Sequence, residues 1–497
     1  MGSSTGRLSP ETLAHLPADV ARPRYDRRRV AAGILHLGLG AFHRAHQAVY
    51  TDAALADDPR WGIVGVSLQS PGARDRLQPQ GGLYSVLERG AAGTRVGVIG
   101  ALSRALFLGE DRDEVLRVFA APATQVVTLT VTEKGYCHDP ATRRLLAVHP
   151  GLARDLANPA RPETTIGLVA AGLAARARAG AGPVTIVCCD NLPANGRTLE
   201  GLVREYVERV DPARLGWIET HAAFPCTMVD RIVPATTAAD LAEAAARLGA
   251  HDAAAVVAEP FTQWVIEDRF AAARPAWERA GATLARDVAP FEEMKLRLLN
   301  GTHSALAYLG YLAGFEHVAE VVQAPAFARF AARLMREDSA PTLALPAGVD
   351  SADYQARLLG RFANPALKHR CWQIAMDGSQ KLPQRLLGTA RARLAAGQPC
   401  DHVALAVAGW MRYVTGRDER GAAIDVRDPL AARLAAIAGD CGPEPRALAD
   451  AYLAVREVFG DDLPRRAEFV AAVRRSLASL FAHGARSTVE RAYGASA

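Results

Sequence analysis

The chain has 497 residues, 49% hydrophobic and 22% charged, the composition of an ordinary globular protein rather than of a disordered, collagen-like or coiled-coil one. At roughly 150 residues per domain that length predicts about three domains, or two where an α/β domain runs long. The net charge of +5 is spread along the chain instead of gathered into basic tracts, which argues against a nucleic-acid partner. The longest apolar run, Ala305 to Phe315, is too short to cross a bilayer and reads as a core helix. Met1-Gly2-Ser3-Ser4-Thr5-Gly6 lacks the basic and apolar regions of a secretion signal. The seven cysteines are odd in number and include no Cys-x-x-Cys pair. These features predict a reduced cytoplasmic protein with no membrane partner and no cysteine-based zinc site.

Past a Pro-rich leader ending near Arg29, Ile34-Leu35-His36-Leu37 reads as a strand that stops at Gly38-Leu39-Gly40, and a helical pattern begins near Phe42. A second strand is expected over 63–68, at the spacing of a βαβ unit, with residues 45–55 as the crossover helix. Tyr84 to Leu87 and Arg95 to Ile99, split by Gly90-Ala91-Ala92-Gly93, predict a hairpin inserted in that unit. Apolar runs at 125–131 and 184–189 predict two more strands, ending at Thr132-Glu133-Lys134 and Asp190-Asn191. Polar residues at such strand ends are where open parallel sheets build their sites. Beyond about Pro290 the two-residue alternation gives way to Ala/Leu/Arg patterns of helical period. The expected organisation is an α/β dinucleotide-binding domain over 1–288 and a mostly α-helical domain over 289–497. Helices in the latter are expected near 292–315, 323–337, 353–362, 401–416, 427–438, 444–458 and 466–482.

Gly38-Leu39-Gly40-Ala41-Phe42-His43 matches the first two glycines of a dinucleotide fingerprint and holds His at the third. The two glycines allow a tight turn and close approach of backbone to a pyrophosphate; for these six residues alone, a plain β-turn is the alternative. Leu68-Gln69-Ser70 stands where an acidic residue usually binds the ribose, with Arg74 and Arg76 just beyond. No carboxylate there repels a 2′-phosphate, so only a modest preference for NAD over NADP is expected, with Arg74 placed to meet such a phosphate.

Glu292 to His303 carries the densest chemistry. On an α-helix advancing about 100° per residue, Lys295, Asn300 and His303 fall at roughly 0°, 140° and 80°, within one arc. Lys295 alone reads as part of a solvated face. With Leu296 and Leu299 beside the arc, a lysine there loses solvation and gives up its proton more readily. Such a group can take a proton from an alcohol during oxidation and return it during reduction, and an asparagine can hold the alkoxide-like oxygen. No metal is needed. A dinucleotide sensor without catalytic activity, the competing class, has no use for that proton donor.

ILHLGLGAFHRAHQAVYTD at 34–52, TVTEKGYC at 130–137, CDNLPANG at 189–196, FPCTMVDRIVP at 224–234, EPFTQWVIED at 259–268, MKLRLLNGTHSALAYLG at 294–310 and IAMDGSQKLPQRLL at 374–387 together resemble the mannitol dehydrogenase family of polyol-specific long-chain dehydrogenases. The resemblance runs from about residue 24 to about residue 485. It implies an α/β N-terminal Rossmann-type domain, a mostly α-helical C-terminal domain, NAD as cofactor and no catalytic zinc. Lys295, Asn300 and His303 match the family's Lys-x-x-x-x-Asn-x-x-His motif. By that likeness Lys295 is general acid and base, Asn191 and Asn300 hold the reacting oxygen, His303 orients substrate, and Glu292 moves the lysine's proton to solvent. Asp230 and Lys381 match substrate-contacting positions; otherwise Asp230 pairs with Arg231 and Lys381 is a surface lysine. Arg44, Gln69, Thr132 and Glu133 join Gly38 to His43 along the cofactor.

Within the family, Lys134, Gln373, the Cys226-Thr227 pair and the run Gln380 to Arg385 depart from the mannitol enzymes and resemble the branch acting on D-fructuronate and D-mannonate. A cation beyond a central strand suits a sugar-acid carboxylate. Lys134 leads as that counter-charge, with Arg370 and Arg385 as alternatives and a simple pairing of Lys134 with Glu133 equally open. The implied substrate is a small sugar acid; mannitol, D-arabinitol and tagaturonate remain alternatives, and a monomer or small homo-oligomer is expected.

Overall fold

Ile34, Leu35 and Leu37 are buried on both faces of their strand, the condition for the middle of a parallel sheet covered by helices on each side. The computed structural model, which describes residues 6–90, 92–139, 142–146 and 148–494, places them in that position. The chain divides between Val288 and Ala289 into two units.

In the first unit the strands are β1 (Ala32–Leu37), β2 (Gly62–Ser67), β3 (Tyr84–Gly90), β4 (Gly93–Ile99), β5 (Leu102–Phe107), β6 (Val126–Leu129), β7 (Val184–Cys188) and β8 (Ala222–Ala223). The main sheet runs β5-β2-β1-β6-β7-β8 with every neighbouring pair parallel. Numbered along that sheet alone, this is the 3-2-1-4-5-6 order of the Rossmann fold, in which the strand order reverses between the first and fourth strands. Here those are β1 and β6. The inserted hairpin is β3 and β4, paired antiparallel from Tyr84 opposite Ile99; Ala91 of its turn lies outside the described residues, as do Met1 to Thr5. The unit is completed by β9 (Thr227–Asp230), β10 (Val256–Ala258), β11 (Gln263–Glu267) and β12 (Thr283–Ala285). Strand β10 joins the hairpin and the other three form a separate sheet.

Edge strand β5 is not among the strands expected from sequence, because Ser103 and Arg104 interrupt any apolar run of the kind that marks β1. One expectation needs correction: the single crossover helix is two pieces, Ala41–Ala45 and Gln47–Ala54, broken at His46 with φ −128° and ψ −90°. Tertiary contacts hold the break: His46 Nε2 bonds the Gln263 carbonyl at 2.8 Å, and its ring stacks on Phe42.

In the second unit the helix Thr302–Leu312 has ten of its eleven residues buried, as a helix must when apolar on every side. It packs on Asp401–Tyr413 and on the long C-terminal helix Ala467–Tyr493. That last helix runs past the expected 482, with a break at Gly484 where Glu419 caps the Ala485 amide. The expected helix at 444–458 is split into Pro445–Leu453 and Arg456–Phe459. Helices between 371 and 395 were hidden by Gly378, Pro383 and Gly388, which look like breakers in sequence.

Among the described residues three stretches are π-helical: Lys295–Gly301, Leu334–Ser339 and Pro383–Leu387. The first packs against the other two. At Gly301 an added Cβ would stand 2.5 Å from the Arg385 carbonyl oxygen, so only glycine lets these backbones approach so closely. Among the described residues no helix is long and apolar enough to cross a membrane.

Replacing Gly301 with Ala should therefore cost about 1–3 kcal/mol of stability, as overpacking does. Gly439, in the helix Ala431–Cys441, has nothing within 4 Å of its Cβ position, so Gly439→Ala should gain up to about 1 kcal/mol. Thermal melts of the two variants against wild type check the opposite signs.

Candidate active site

The glycine turn leaves β1 at Gly38, whose φ of 98° and closeness to the Thr130 carbonyl exclude a side chain. The Gly38 and Leu39 amides donate to the Val66 carbonyl at 2.9 and 3.1 Å. Below the turn, His36 of β1 bonds the hydroxyl of Thr128 on β6 at 2.8 Å, the Gly38 carbonyl at 3.1 Å and the Thr130 hydroxyl at 3.0 Å. His43, where the fingerprint has its third glycine, lays its ring on His36 at 3.3 Å between centroids. The close packing of helix on strand that glycine usually permits is met here by two stacked rings. Burial pulls His36 down to about 3 and His43 well below its ordinary value, so the stack is uncharged.

Above the turn lies a cavity of about 670 Å³ lined by Gly38, Gly40, Arg44, Gln69, Arg76 and Thr132 among others. Arg44 is buried, and its guanidinium bonds the carbonyls of Gly40 and Ala254. Burial draws it down to about 10, still charged near neutrality, which suits the floor of this cradle to a pyrophosphate. Arg74 is not available for a phosphate: it binds the carboxylates of Asp75 at 2.6 Å and Glu110 at 2.9 Å. Two residues on, Arg76 lines the cradle instead.

The polar ends of β6 and β7 are tied together by Asp190. Its carboxylate accepts from the Val131 amide at 2.8 Å, the Thr132 amide at 3.1 Å and the Tyr136 hydroxyl at 2.6 Å. Asn195 Nδ2 donates to the carbonyls of Cys188, Asp190 and Thr227, pinning the turn that exposes Asn191. Asp230, the last residue of β9, is buried. Its neighbour Arg231 reaches Glu88 at 2.5 Å and the Glu259 carbonyl at 2.9 Å.

In the second unit Lys295, Asn300 and His303 are 4%, 9% and 6% exposed. The α-helical arc expected for them needs correction, because Lys295 to Gly301 winds with i→i+5 bonding. That repeat sets Asn300 one turn above Lys295 rather than about 140° around from it. Asn300 Oδ1 is buried without a hydrogen-bond partner among the described residues, and a substrate hydroxyl would supply one. Glu292 is half-buried in the preceding helix Ala289–Met294.

His303 meets the ring of His369 edge-on at 4.9 Å and stacks on Phe362 at 5.2 Å. Burial drives His303 well below its ordinary value, and the charges of Arg385, Arg361 and Lys381 add to that. His369 is pulled down to about 4, by burial first and then by Lys381. Both rings are neutral at neutral pH. Arg385 donates to the Ser304 hydroxyl at 3.1 Å and Lys381 to the Ile374 carbonyl at 3.3 Å. Sequence reading missed His369 and Arg361, which carry no motif of their own.

The three counter-charge candidates fall in different places. Arg370 is an exposed residue paired with Glu316 at 3.3 Å. Lys134 is exposed and lines, with Arg112 and Arg154, a second cavity of about 540 Å³ that shares Leu68, Gln69 and Gly135 with the cradle. Arg385 lies by His303, donating to the hydroxyl of the adjacent Ser304, and its charge adds to the burial that lowers that histidine.

Family-wide sequence profiles of the mannitol dehydrogenase Rossmann domain and of the mannitol dehydrogenase C-terminal domain match residues 32–279 and 287–481. The D-mannonate oxidoreductase of Escherichia coli (strain K12) is 47% identical over 483 residues, 96% of this chain and 99% of its own. The uncharacterized oxidoreductase YeiQ of the same organism is 46% identical over 477 residues, 95% of this chain and 97% of its own. Among solved structures, the Pseudomonas fluorescens mannitol 2-dehydrogenase in ternary complex with NAD and D-mannitol is 38% identical, has a TM-score of 0.91, and covers 98% of this chain and 99% of that one. Both domain profiles, in order and over most of the length, show that the chain belongs to the mannitol dehydrogenase family of oxidoreductases.

Proposed function

We propose that this chain is an NAD-dependent secondary-alcohol dehydrogenase that interconverts D-mannonate and D-fructuronate. The family's Rossmann domain and the NAD-bound relative support the cofactor. In the reducing direction a hydride passes from the nicotinamide to the keto carbon, and protonated Lys295 gives its proton to the oxygen as the alkoxide forms. Asn191 and Asn300 hold that oxygen, His303 orients the chain of hydroxyls, and Asp230 and Lys381 bind it further along. Glu292 returns a proton to Lys295 from solvent. Oxidation runs the same steps backwards, with neutral Lys295 as the base.

The observation that favours a sugar acid over a polyol is the placing of Arg385, whose guanidinium donates to the Ser304 hydroxyl beside His303 at 3.1 Å. A carboxylate would meet that guanidinium through charge-assisted hydrogen bonds, and neither mannitol nor fructose has one. Arg385 is our counter-charge, and Lys134, beside the cradle, is assigned to the cofactor's side. The identity to a D-mannonate oxidoreductase supports the reading. Mannitol, D-arabinitol and tagaturonate with their redox partners are the competing substrates.

Lys295→Ala should lower kcat by about 10² to 10⁴, the usual cost of removing a positioned acid or base, while NADH binding measured by fluorescence stays near wild type. A variant that keeps most of its activity overturns the mechanism. Arg385→Gln should lower kcat/KM for fructuronate by about 1.5–3 kcal/mol and for fructose much less, whereas Lys134→Gln should weaken both substrates alike. Equal losses for Arg385→Gln would remove its carboxylate role. For the cofactor, Kd values for NAD(H) and NADP(H) should differ by less than about a thousandfold, some 4 kcal/mol, since Gln69 and Ser70 bring no carboxylate and Arg76 faces the cradle. A wider gap would show a repulsive group elsewhere.

A further inference from the structure

Thr132 lines the cofactor cradle with φ 65° and ψ 162°, a backbone region that essentially only glycine occupies without strain. A threonine stays there only where its surroundings hold it. The holding group is Asp190, whose carboxylate accepts from the backbone amides of Val131 and Thr132, at 2.8 and 3.1 Å, together with the Tyr136 hydroxyl at 2.6 Å. The backbone of Asp190 is itself fixed by Asn195, one residue from Asn191. One carboxylate thus joins the strained cofactor loop after β6 to the turn after β7.

We propose that Asp190 is a positioning residue for the cofactor: its ionised carboxylate holds the Thr132 backbone in the conformation that receives the dinucleotide, and its protonation releases that loop. An ionised carboxylate has two acceptor oxygens for three donors, whereas the acid turns one oxygen into a donor that an amide N–H cannot use. Burial, helped by the nearby Glu133, pushes Asp190 up to about 6 against the pull of its three hydrogen bonds. Facing it are Tyr136 and Glu133 from the 133–136 turn and the thiols of Cys188 and Cys189 from the β7 side. Burial raises Tyr136 and both thiols, so they stay neutral where Asp190 titrates. The sign follows from a raised acid: the holding form is present above about pH 6 and is lost as the pH falls through it.

The test is NADH binding by the full-length protein, followed by fluorescence from about pH 8 down to about pH 5. Wild type should lose roughly tenfold in affinity as the pH falls through about 6. Asp190→Asn, with one acceptor oxygen, should bind roughly tenfold more weakly at the upper end and show a flat profile below it. Adding Thr132→Gly to Asp190→Asn should recover most of the lost affinity, because glycine adopts that backbone without strain. A flat wild-type profile overturns the proposal and needs no variant to fold. So does an Asp190→Asn protein with wild-type affinity and pH profile, or a double variant no better than the single one.

Discussion

The turn from Lys295 to Gly301 is set by backbone bonding before any side chain acts. In an α-helix the five-residue spacing would leave Asn300 about 140° around from Lys295. Winding with i→i+5 bonds stacks the two groups on one side, and the same widening feeds directly into the buried helix that carries His303. Short π-helical pieces are poor local structures and cluster at functional sites. This one persists because a second, Pro383–Leu387, lies against it with no side chain at Gly301 to hold them apart. The close contact that stabilises the wide turn also brings Arg385 into the neighbourhood of His303. The proposed acid–base group and the proposed counter-charge are thus placed by one packing arrangement.

The first unit uses strain and neutral rings in the same way. Polar groups cannot be buried beneath the glycine turn unless they are bonded or uncharged. His36 is both, with its two nitrogens engaged across β1 and β6, and His43 is kept neutral by burial while stacked on it. The field above the turn comes from Arg44, whose guanidinium is satisfied by carbonyls and so keeps its charge for an anion. Asp190 then determines how the loop after β6 meets that anion's carrier.

Much of this was legible in sequence where the signal is local. A strand ending in Gly38-Leu39-Gly40, the recurrence of short apolar runs, and polar residues just past β6 and β7 are properties of neighbouring residues, and each is found where expected. The π-winding was not legible, because Lys-x-x-x-x-Asn fits an α-helical arc loosely and a π-turn closely, and only packing at Gly301 decides between them. Arg74 and Arg76 look interchangeable in a string of letters. Glu110, far along the chain, takes the first and leaves the second facing the cradle. His369 and Arg361 reach the same histidine from a loop and a helix with no motif, and edge strand β5 is paired on one side only, so neither showed the pattern that marks a site or a core strand.

The substrate question follows from the electrostatics of burial. Burial lowers His303, the charges of Arg385, Arg361 and Lys381 add to that, and each of these cations is also held by partners within the protein, as Arg385 is by the Ser304 hydroxyl. A polyol offers hydroxyls, which a neutral His303 and His369 can meet as donor and acceptor. It offers nothing to the field from Arg385, Arg361 and Lys381. On the proposed reading a sugar acid would set its hydroxyl chain along the neutral rings and its carboxylate at Arg385. On that reading the choice between the two substrate classes rests on Arg385, with the proposed Lys295, Asn300 and His303 chemistry common to both.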